Sequence, residues 1–461
     1  MAEKYDLVVI GAGMGGMSSA ALAVKNGYKT LVLESLGQVG GRYSTFEVEG
    51  CKCLTGACVI HYSGWVPKVF KEVGLEMELR DAQEVYYNVQ GEEFPVPMEN
   101  RVTALFDICN RAGGASGKAR NIGAGLVKEV GAKKLSGMFG KAVMDPKGIG
   151  GLTIKEWLMQ YTDDPIAHGL FDSLAVGWVV AHSYEIPASE YFQFMATMKG
   201  MNDIGLSPQG NRHNMEMLAG YIRNGKSDIW LGSPVTKINI KDKKAVSVVC
   251  KKEGGEEVEI ECDAVISNCG PTLTARLADQ VDYTEDYLRD MRVKLRPIPT
   301  VMMHVASNEK LAMAGGEHGM ELVSGMRRIM CAVPLTNTCP ELAPKDTFLY
   351  HFVGMPKSTL VPMEPEEEIR QCMADLHDLY PRFDNVAKVI SIEARNCDDN
   401  LNYGRSWQAA PYQMPRETPI KNMWCVGDGN QSRGLVGTSG AAEGAFKVVD
   451  ALKKGVKPSK K

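Results

Sequence analysis

Cysteine is too sparse here for a disulfide scaffold: twelve residues are scattered over a chain of 461, a usage that fits a reducing compartment. Excess positive charge is also missing. The 52 lysines and arginines are outnumbered by 56 acids, for a net charge of −4, so nothing draws the chain to polyanions and nucleic acid is excluded as a general partner. The start, Met1-Ala-Glu-Lys4, lacks a secretion signal's order of basic, apolar and small residues, and a cytoplasmic location is expected. Long apolar runs are scarce as well. Leu7 to Val24 passes eighteen residues without a charge, but glycines at 11, 13, 15 and 16 interrupt it, which predicts strand, turn and helix rather than a membrane span. No internal repeat is evident. The length exceeds what one core usually supports, so two domains are expected, burying about three quarters of the unfolded surface.

What is present begins at once. Asp6-Leu-Val-Val-Ile10 runs into Gly11-Ala-Gly13-Met-Gly-Gly16, then a helix-like stretch, then Lys29-Thr-Leu-Val-Leu-Glu34, then Gly40-Gly41-Arg42. A buried strand is expected to enter a turn where Gly11 permits the bend, Gly13 lets backbone amides approach a pyrophosphate and Gly16 lets helix pack on strand. The helix N-terminus then faces the phosphates. Glu34 follows Gly16 by eighteen positions, where a carboxylate accepts from an adenosine ribose and repels a 2′-phosphate, disfavouring NADP.

Two further segments read as parts of the same nucleotide domain. The second starts near Ser207-Pro-Gln-Gly210, continues through a helical pattern (Met215, Leu218, Ala219, Ile222) and reaches Ile229-Trp-Leu and Val235-Thr-Lys-Ile. A hairpin is predicted from Ala245–Lys251 and Glu257–Cys262 around Glu253-Gly-Gly255, then a short buried strand in Asp263-Ala-Val-Ile-Ser-Asn268. The third is Asn422-Met-Trp-Cys-Val-Gly427-Asp428 and a helix from about Gly440 to Leu452. The expected division is a discontinuous domain of 1–75, 205–285 and 390–452, a substrate or cap domain of 76–204 and 286–389, and a flexible basic tail at 453–461. Residues 101–150 set nine basic residues against three acids, interleaved with glycine and apolar positions. A solvated helical face is the reading preferred there over peripheral membrane contact.

In these motifs and their order the chain resembles the superfamily of flavin-containing amine oxidases and phytoene desaturases, over Tyr5 to about Ile60, Ser207–Thr272 and Met423–Leu452. The resemblance implies an α/β protein: a split Rossmann-like FAD-binding domain with an inserted α+β substrate domain. It implies that the Gly40-Gly41-Arg42 loop wraps the pyrophosphate with Arg42 supplying charge, that Val235 meets adenine through its main chain, and that Asp428 of Gly427-Asp428 holds the ribityl or phosphate region. Gly437-Thr438-Ser439-Gly440-Ala441 resembles the helix start beneath the isoalloxazine, whose partial positive charge favours reduced flavin. The implied cofactor-binding set is thus Gly11, Gly13, Met14, Gly15, Gly16, Glu34, Ser35, Gly40, Gly41, Arg42, Val235, Gly427, Asp428, Gly437, Thr438, Ser439 and Ala441. Ala264-Val-Ile-Ser-Asn268-Cys-Gly-Pro271 looks closer to the desaturase branch.

The departures from the family are informative. The likeliest counterpart of the strand that carries a flavin-side lysine in many amine oxidases, Pro299-Thr-Val-Met-Met-His304, has no lysine. No aromatic pair framing an amine is obvious, although Tyr403, Trp407 and Tyr412 are available. No cysteine occurs between Gly429 and Gly440, so FAD is expected to be noncovalent. Cys53-Leu-Thr-Gly-Ala-Cys58 has flavin disulfide reductase spacing, but it does not directly follow the Gly-Gly pair and no second glycine fingerprint appears, so a redox dithiol is rejected. Cys51, Cys53, Cys58 and His61 match no usual zinc spacing, and no metal is expected.

For the redox step, flavin N5 takes a hydride from a carbon about 3 to 3.5 Å away. A protein base then has to handle the proton. The candidates are His61 and Tyr62, following the strand expected to pass the flavin, and His182 and Tyr184 in an apolar run of the insertion. Each reads equally as a satisfied core side chain. The twenty-five methionines, among them Met195, Met198, Met201, Met302 and Met303, suit an adaptable apolar pocket. The expected activity is an FAD-dependent dehydrogenase or desaturase acting on a largely apolar skeleton, with oxygen, a quinone or an electron-transfer protein as acceptor. An amine oxidase and a non-redox FAD-dependent isomerase are the rivals. Oligomeric state is not legible.

Overall fold

The computed structural model describes residues 4–82, 84–89, 92–96, 151–197, 203–252, 254–295, 298–311, 319–358, 361–395 and 413–459. Its organising layer is a five-stranded parallel sheet in the order Asp228–Trp230, Thr30–Leu33, Leu7–Ile10, Val265–Ser267, Met423–Cys425. In chain order that is 3-2-1-4-5, the doubly wound arrangement of a Rossmann-like domain. The central strands are buried at every position, as expected of a sheet covered on both faces. Helices Met14–Lys25, Asn211–Asn224 and Gly437–Gly455 cover one face, while on the other Val8, Leu31 and Val265 pack against Ile238, Val248 and Ile260. Met17, Met215, Leu218, Ile222, Ala445 and Val449 share one core with Val9, Val32 and Ile266.

The eighteen uncharged residues from Leu7 resolve into the strand Leu7–Ile10 and the helix Met14–Lys25. Among the described residues no helix is long and apolar enough to cross a membrane. The predicted hairpin forms as Lys244–Lys251 against Glu257–Cys262, within a four-stranded sheet that also holds Lys4–Tyr5 and Val235–Lys241. One expectation needs correcting. The segment from Lys453, read as a flexible tail, extends the last helix to Gly455; beyond it the Val456 carbonyl accepts from Tyr28 Oη and the Ser459 amide donates to Asp6.

A second, seven-stranded sheet faces the first across the molecule: Ala387–Arg395, Thr300–Ser307, Phe348–Gly354, Ile329–Pro334, Met320–Ser324, Val85–Val89, Glu92–Pro95. All neighbours are antiparallel except Val85–Val89 with Met320–Ser324. Helices Ile154–Met159, Pro165–Val179 and Ala188–Thr197 cover part of it, burying Trp157, Leu170, Phe171, Leu174 and Tyr191 with Leu322, Cys331 and Val333. Pro165–Val179 starts sharply because Asp164 accepts from the amides of Ile166 and Ala167 and proline occupies the first turn. Residues 101–150, with their predicted amphipathic stretch, lie outside the described residues.

Candidate functional site

The parallel sheet reverses its winding between Leu7–Ile10 and Val265–Ser267, and the carboxyl ends of those strands open into a cavity. Such a switch point is where open α/β sheets bind ligands. The cavity measures about 680 Å³, within the roughly 300–1,000 Å³ usual for ligand sites. Gly11, Gly13, Met14, Gly15, Glu34, Ser35, Gly40, Gly41, Arg42, Val235, Gly427, Asp428, Gly437, Thr438, Ser439 and Ala441 all line it. Gly16 does not. It packs instead against the turn, where an added Cβ would sit 2.0 Å from the Gly11 carbonyl oxygen.

Glu34 is held rigidly. One carboxylate oxygen accepts from the Ala12 amide at 2.6 Å, the other from the Leu36 amide at 2.8 Å and the Ser35 hydroxyl at 3.2 Å. It is 6% exposed, so these donors offset the cost of burying its charge. Arg42 Nη1 pairs with Asp428 Oδ2 at 2.6 Å, joining loops nearly the whole chain apart. The helix Gly437–Gly455 starts at Val436 with no side-chain cap and no acid in its first turn, so its positive end faces the cavity through Gly437–Ser439.

The opposite wall is largely apolar. The seven-stranded sheet contributes Thr300, Met302, Met320, Cys331, Val333, Val353 and Arg395, and the insertion adds Val176, Trp178, Val180 and Phe194. Val180 closes its helix at φ 52°, ψ 49°, a left-handed conformation that β-branched residues rarely adopt. Thr300 and Met302 line the cavity from the strand Thr300–Ser307, which holds no lysine.

Of the four acid/base candidates, only His61 reaches the cavity. Its ring tilts against Trp178 at 5.9 Å. Burial holds the imidazole below its ordinary value, opposed by the charge of nearby Asp203, so the ring is neutral near pH 7. Asp203 is fixed in turn by the Ser63 amide at 3.1 Å and the Ser63 hydroxyl. Tyr62 points away: its hydroxyl lies beside Gly205, and burial with Asp81 raises its pKa. His182 and Tyr184 sit outside the cavity. His182 Nδ1 meets Asp172 at 2.8 Å and Nε2 meets the Pro356 carbonyl at 2.8 Å, and its ring stacks on Tyr184 at 4.7 Å. Two acceptors around one ring favour its doubly protonated form; burial opposes that, but Asp172 outweighs it and raises the pKa. Tyr184 donates to the Lys357 carbonyl.

Cys58 lines the cavity and Cys53 packs in the core, both free, with burial pushing each thiol up to about 12. Neither is a thiolate at neutral pH. Among the described residues no group of three or more His, Cys, Asp or Glu side chains could hold a metal. Tyr403, Trp407, Tyr412, Met198 and Met201 fall outside the described residues, and so does the side chain of Met195.

Asn268, Lys68, Asp203 and Arg395 also line the cavity and were not picked out as site residues from sequence. Asn268 had a signal: it ends the strand beside the glycine turn, where Nδ2 donates to the Val426 carbonyl at 2.8 Å and the side chain abuts Gly13, Gly15 and Gly427. Arg395 had none, because a strand-terminal arginine usually reads as a solvated end.

A sequence profile described as Flavin containing amine oxidoreductase matches residues 14–452. Amine oxidase [flavin-containing] B of Homo sapiens is 32% identical over 113 residues, which is 23% of this chain and 22% of that protein. All-trans-retinol 13,14-reductase of Rattus norvegicus is 48% identical over 62 residues, 13% of this chain and 10% of that one. The matched stretches thus span about a fifth or less of these relatives' length. A solved oxidoreductase from Methanosarcina mazei superposes with a TM-score of 0.80 at 22% identity, covering 96% of this chain and 99% of that one. FAD is the cofactor these matches imply, and the cavity fits it. Glycine backbone forms a cradle that a Cβ at Gly13 would fill, 2.5 Å from Asn268 Oδ1; a buried carboxylate suits a ribose, and an uncapped helix end suits an anionic ring.

Proposed function

Because the chain belongs to the flavin containing amine oxidoreductase family, we propose that it is an FAD-dependent oxidoreductase of the dehydrogenase or desaturase type, acting on a largely apolar carbon skeleton. The observation that carries this reading is the wall opposite the nucleotide motifs, built from Val176, Trp178, Val180, Phe194, Met302, Met320, Val333 and Val353. Similarity to an enzyme named for reducing all-trans-retinol supports the same substrate class. The division into nucleotide segments (1–75, 205–285, 390–452) and cap segments (76–204, 286–389) belongs to this proposal, as do the roles of the individual residues.

FAD, when bound, supplies the two-electron acceptor for a hydride leaving a substrate carbon. Glu34 would accept from the adenosine ribose, and the turn at Gly11–Gly16 would admit the pyrophosphate to backbone amides. Arg42 would neutralise phosphate charge, with Asp428 fixing its guanidinium. The N-terminus at Gly437–Ser439 offsets negative charge on the ring system. The apolar wall excludes water and orients the skeleton by shape. His61, neutral at pH 7, takes the proton at an imidazole nitrogen from the carbon next to the one that loses hydride.

An anaerobic screen of polyenes, steroids, cyclic ketones, acids and amines for loss of the oxidised flavin absorption tests the proposal. Bleaching by an apolar skeleton is the expected result. Bleaching by amines alone, with peroxide formed once air is admitted, would replace it with an amine oxidase. Conversion with no change in the substrate's oxidation state would replace it with an isomerase.

A further inference from the structure

One charged side chain interrupts the sheet wall of the cavity. Among the described lining residues that come from the seven-stranded sheet, Thr300, Met302, Met320, Cys331, Val333 and Val353 carry no charge and Arg395 does. Arg395 ends the edge strand Ala387–Arg395, in register with Thr300 on the neighbouring strand, so both side chains emerge on the cavity face. It is 3% exposed. Its guanidinium is anchored from behind: Nη1 donates to the Thr55 carbonyl at 2.7 Å, and Nε and Nη2 both donate to Glu393 Oε2 at 3.1 and 3.0 Å.

The arginine side chain is 4% exposed and that of Glu393 37%, so the guanidinium's charge sits in a poorly screened interior. Neighbouring groups register that charge. His304 and His351, buried in the same sheet face, are both held below the ordinary histidine value, first by burial, with the Arg395 charge adding to it at His351 and, after His351's own effect, at His304. A fixed cation in an apolar wall, planar and donor-rich, matches a carboxylate in geometry and charge. Among the described residues the other cations that line the cavity are placed elsewhere: Arg42 on Asp428, and Lys68 with Nζ 4.2 Å from the centre of the Trp65 ring.

We propose that the substrate joins a carboxylate to its apolar skeleton and that Arg395 anchors that carboxylate, an inference that rests on the apolar-substrate reading above. Arg395 sets which end of the skeleton enters; the hydride and the proton leave carbons held by the rest of the wall.

The test compares trans-cinnamate with the neutral trans-cinnamamide as ligands of the FAD holoenzyme, followed by perturbation of the oxidised flavin spectrum. Cinnamate is expected to bind the wild type about tenfold more tightly or better. Arg395→Met is expected to close that gap and Arg395→Lys to keep part of it. Equal binding of the two probes by wild type would overturn the carboxylate inference and leave the apolar-skeleton reading standing. An undiminished preference in Arg395→Met would overturn it too, by locating the anion site at another cation. Binding of neither probe would count against both readings. Should Arg395→Met fail to retain flavin, wild type and Arg395→Lys decide, because the isostere comparison needs no deletion of the charge.

Discussion

The two walls of the cavity recognise by different means. The wall at the end of the parallel sheet works through backbone and a few fixed charges, with Glu34 pinned by the Ala12 and Leu36 amides, Arg42 set against Asp428, and a turn with no room for a Cβ at Gly13 or Gly16. The facing wall works mostly through side-chain shape, in aliphatic, aromatic and thioether groups from buried strands and two helices. A ligand gripped through backbone tolerates little substitution beneath it. A ligand held by side-chain shape can be exchanged for another by repacking. The first wall therefore suits an unvarying cofactor, and the second a substrate that differs from relative to relative.

That contrast can be broken experimentally. The largest effect is expected from Gly16→Ala: its Cβ would meet backbone 2.0 Å away, so the helix must shift off the strand at a cost of about 3 kcal/mol or more. Loss of flavin from the purified protein and a lower Tm are the readouts; full flavin content at unchanged Tm would refute the packing argument. Next comes His61→Gln, on the side-chain wall. Turnover should fall by roughly 10²–10⁴ with flavin content intact. Because burial keeps the imidazole below its ordinary value, the acid limb of the wild-type rate profile should lie below about pH 6.5 and vanish in the variant.

Glu34→Arg should weaken FAD binding by about a hundredfold, since it deletes an acceptor and buries a cation among amide donors; an unchanged Kd in flavin titration would remove Glu34 from the ribose. The smallest effect tests His182, outside both walls. Its folded pKa is raised by Asp172, so its contribution to stability is complete below the unfolded value of about 6.5 and is lost as pH rises through the folded value. Tm should fall across that rise in wild type and run flatter in His182→Gln, with turnover at pH 6 nearly unchanged. A large loss of turnover there would return His182 to the chemistry.

The same contrast governs what the sequence could tell. The glycine turn, Glu34, Gly40-Gly41-Arg42, Gly427-Asp428 and the last helix were readable because backbone recognition imposes residue types at fixed spacings, and all but Gly16 of those binding positions line the cavity. Of the strands in the second sheet only Thr300–Ser307 was anticipated, and that through the resemblance at Pro299–His304. Thr300–Ser307, Met320–Ser324 and Ile329–Pro334 are buried at every position, so they lack the period-two alternation that marks a half-exposed strand. His182 and Tyr184 stood out only as polar residues in an apolar run, and tertiary partners contributed by Asp172, Pro356 and Lys357 occupy them. Arg395 enters the wall through pairing with Thr300, ninety-five residues earlier in the chain, a relation that no local pattern encodes.

The order of strands in the parallel sheet has a consequence for how the protein comes to exist. Leu7–Ile10 is made first, yet one of its edges is satisfied only by Val265–Ser267, and that strand in turn awaits Met423–Cys425. During synthesis the opening strand waits about 255 residues with one row of backbone N–H and C=O groups unpaired, a hazard for sticking to other chains. The cradle is complete only once Gly427–Ser439 has been made, some four hundred residues after the glycine turn, so a ligand that needs both parts stabilises the chain only from that point on.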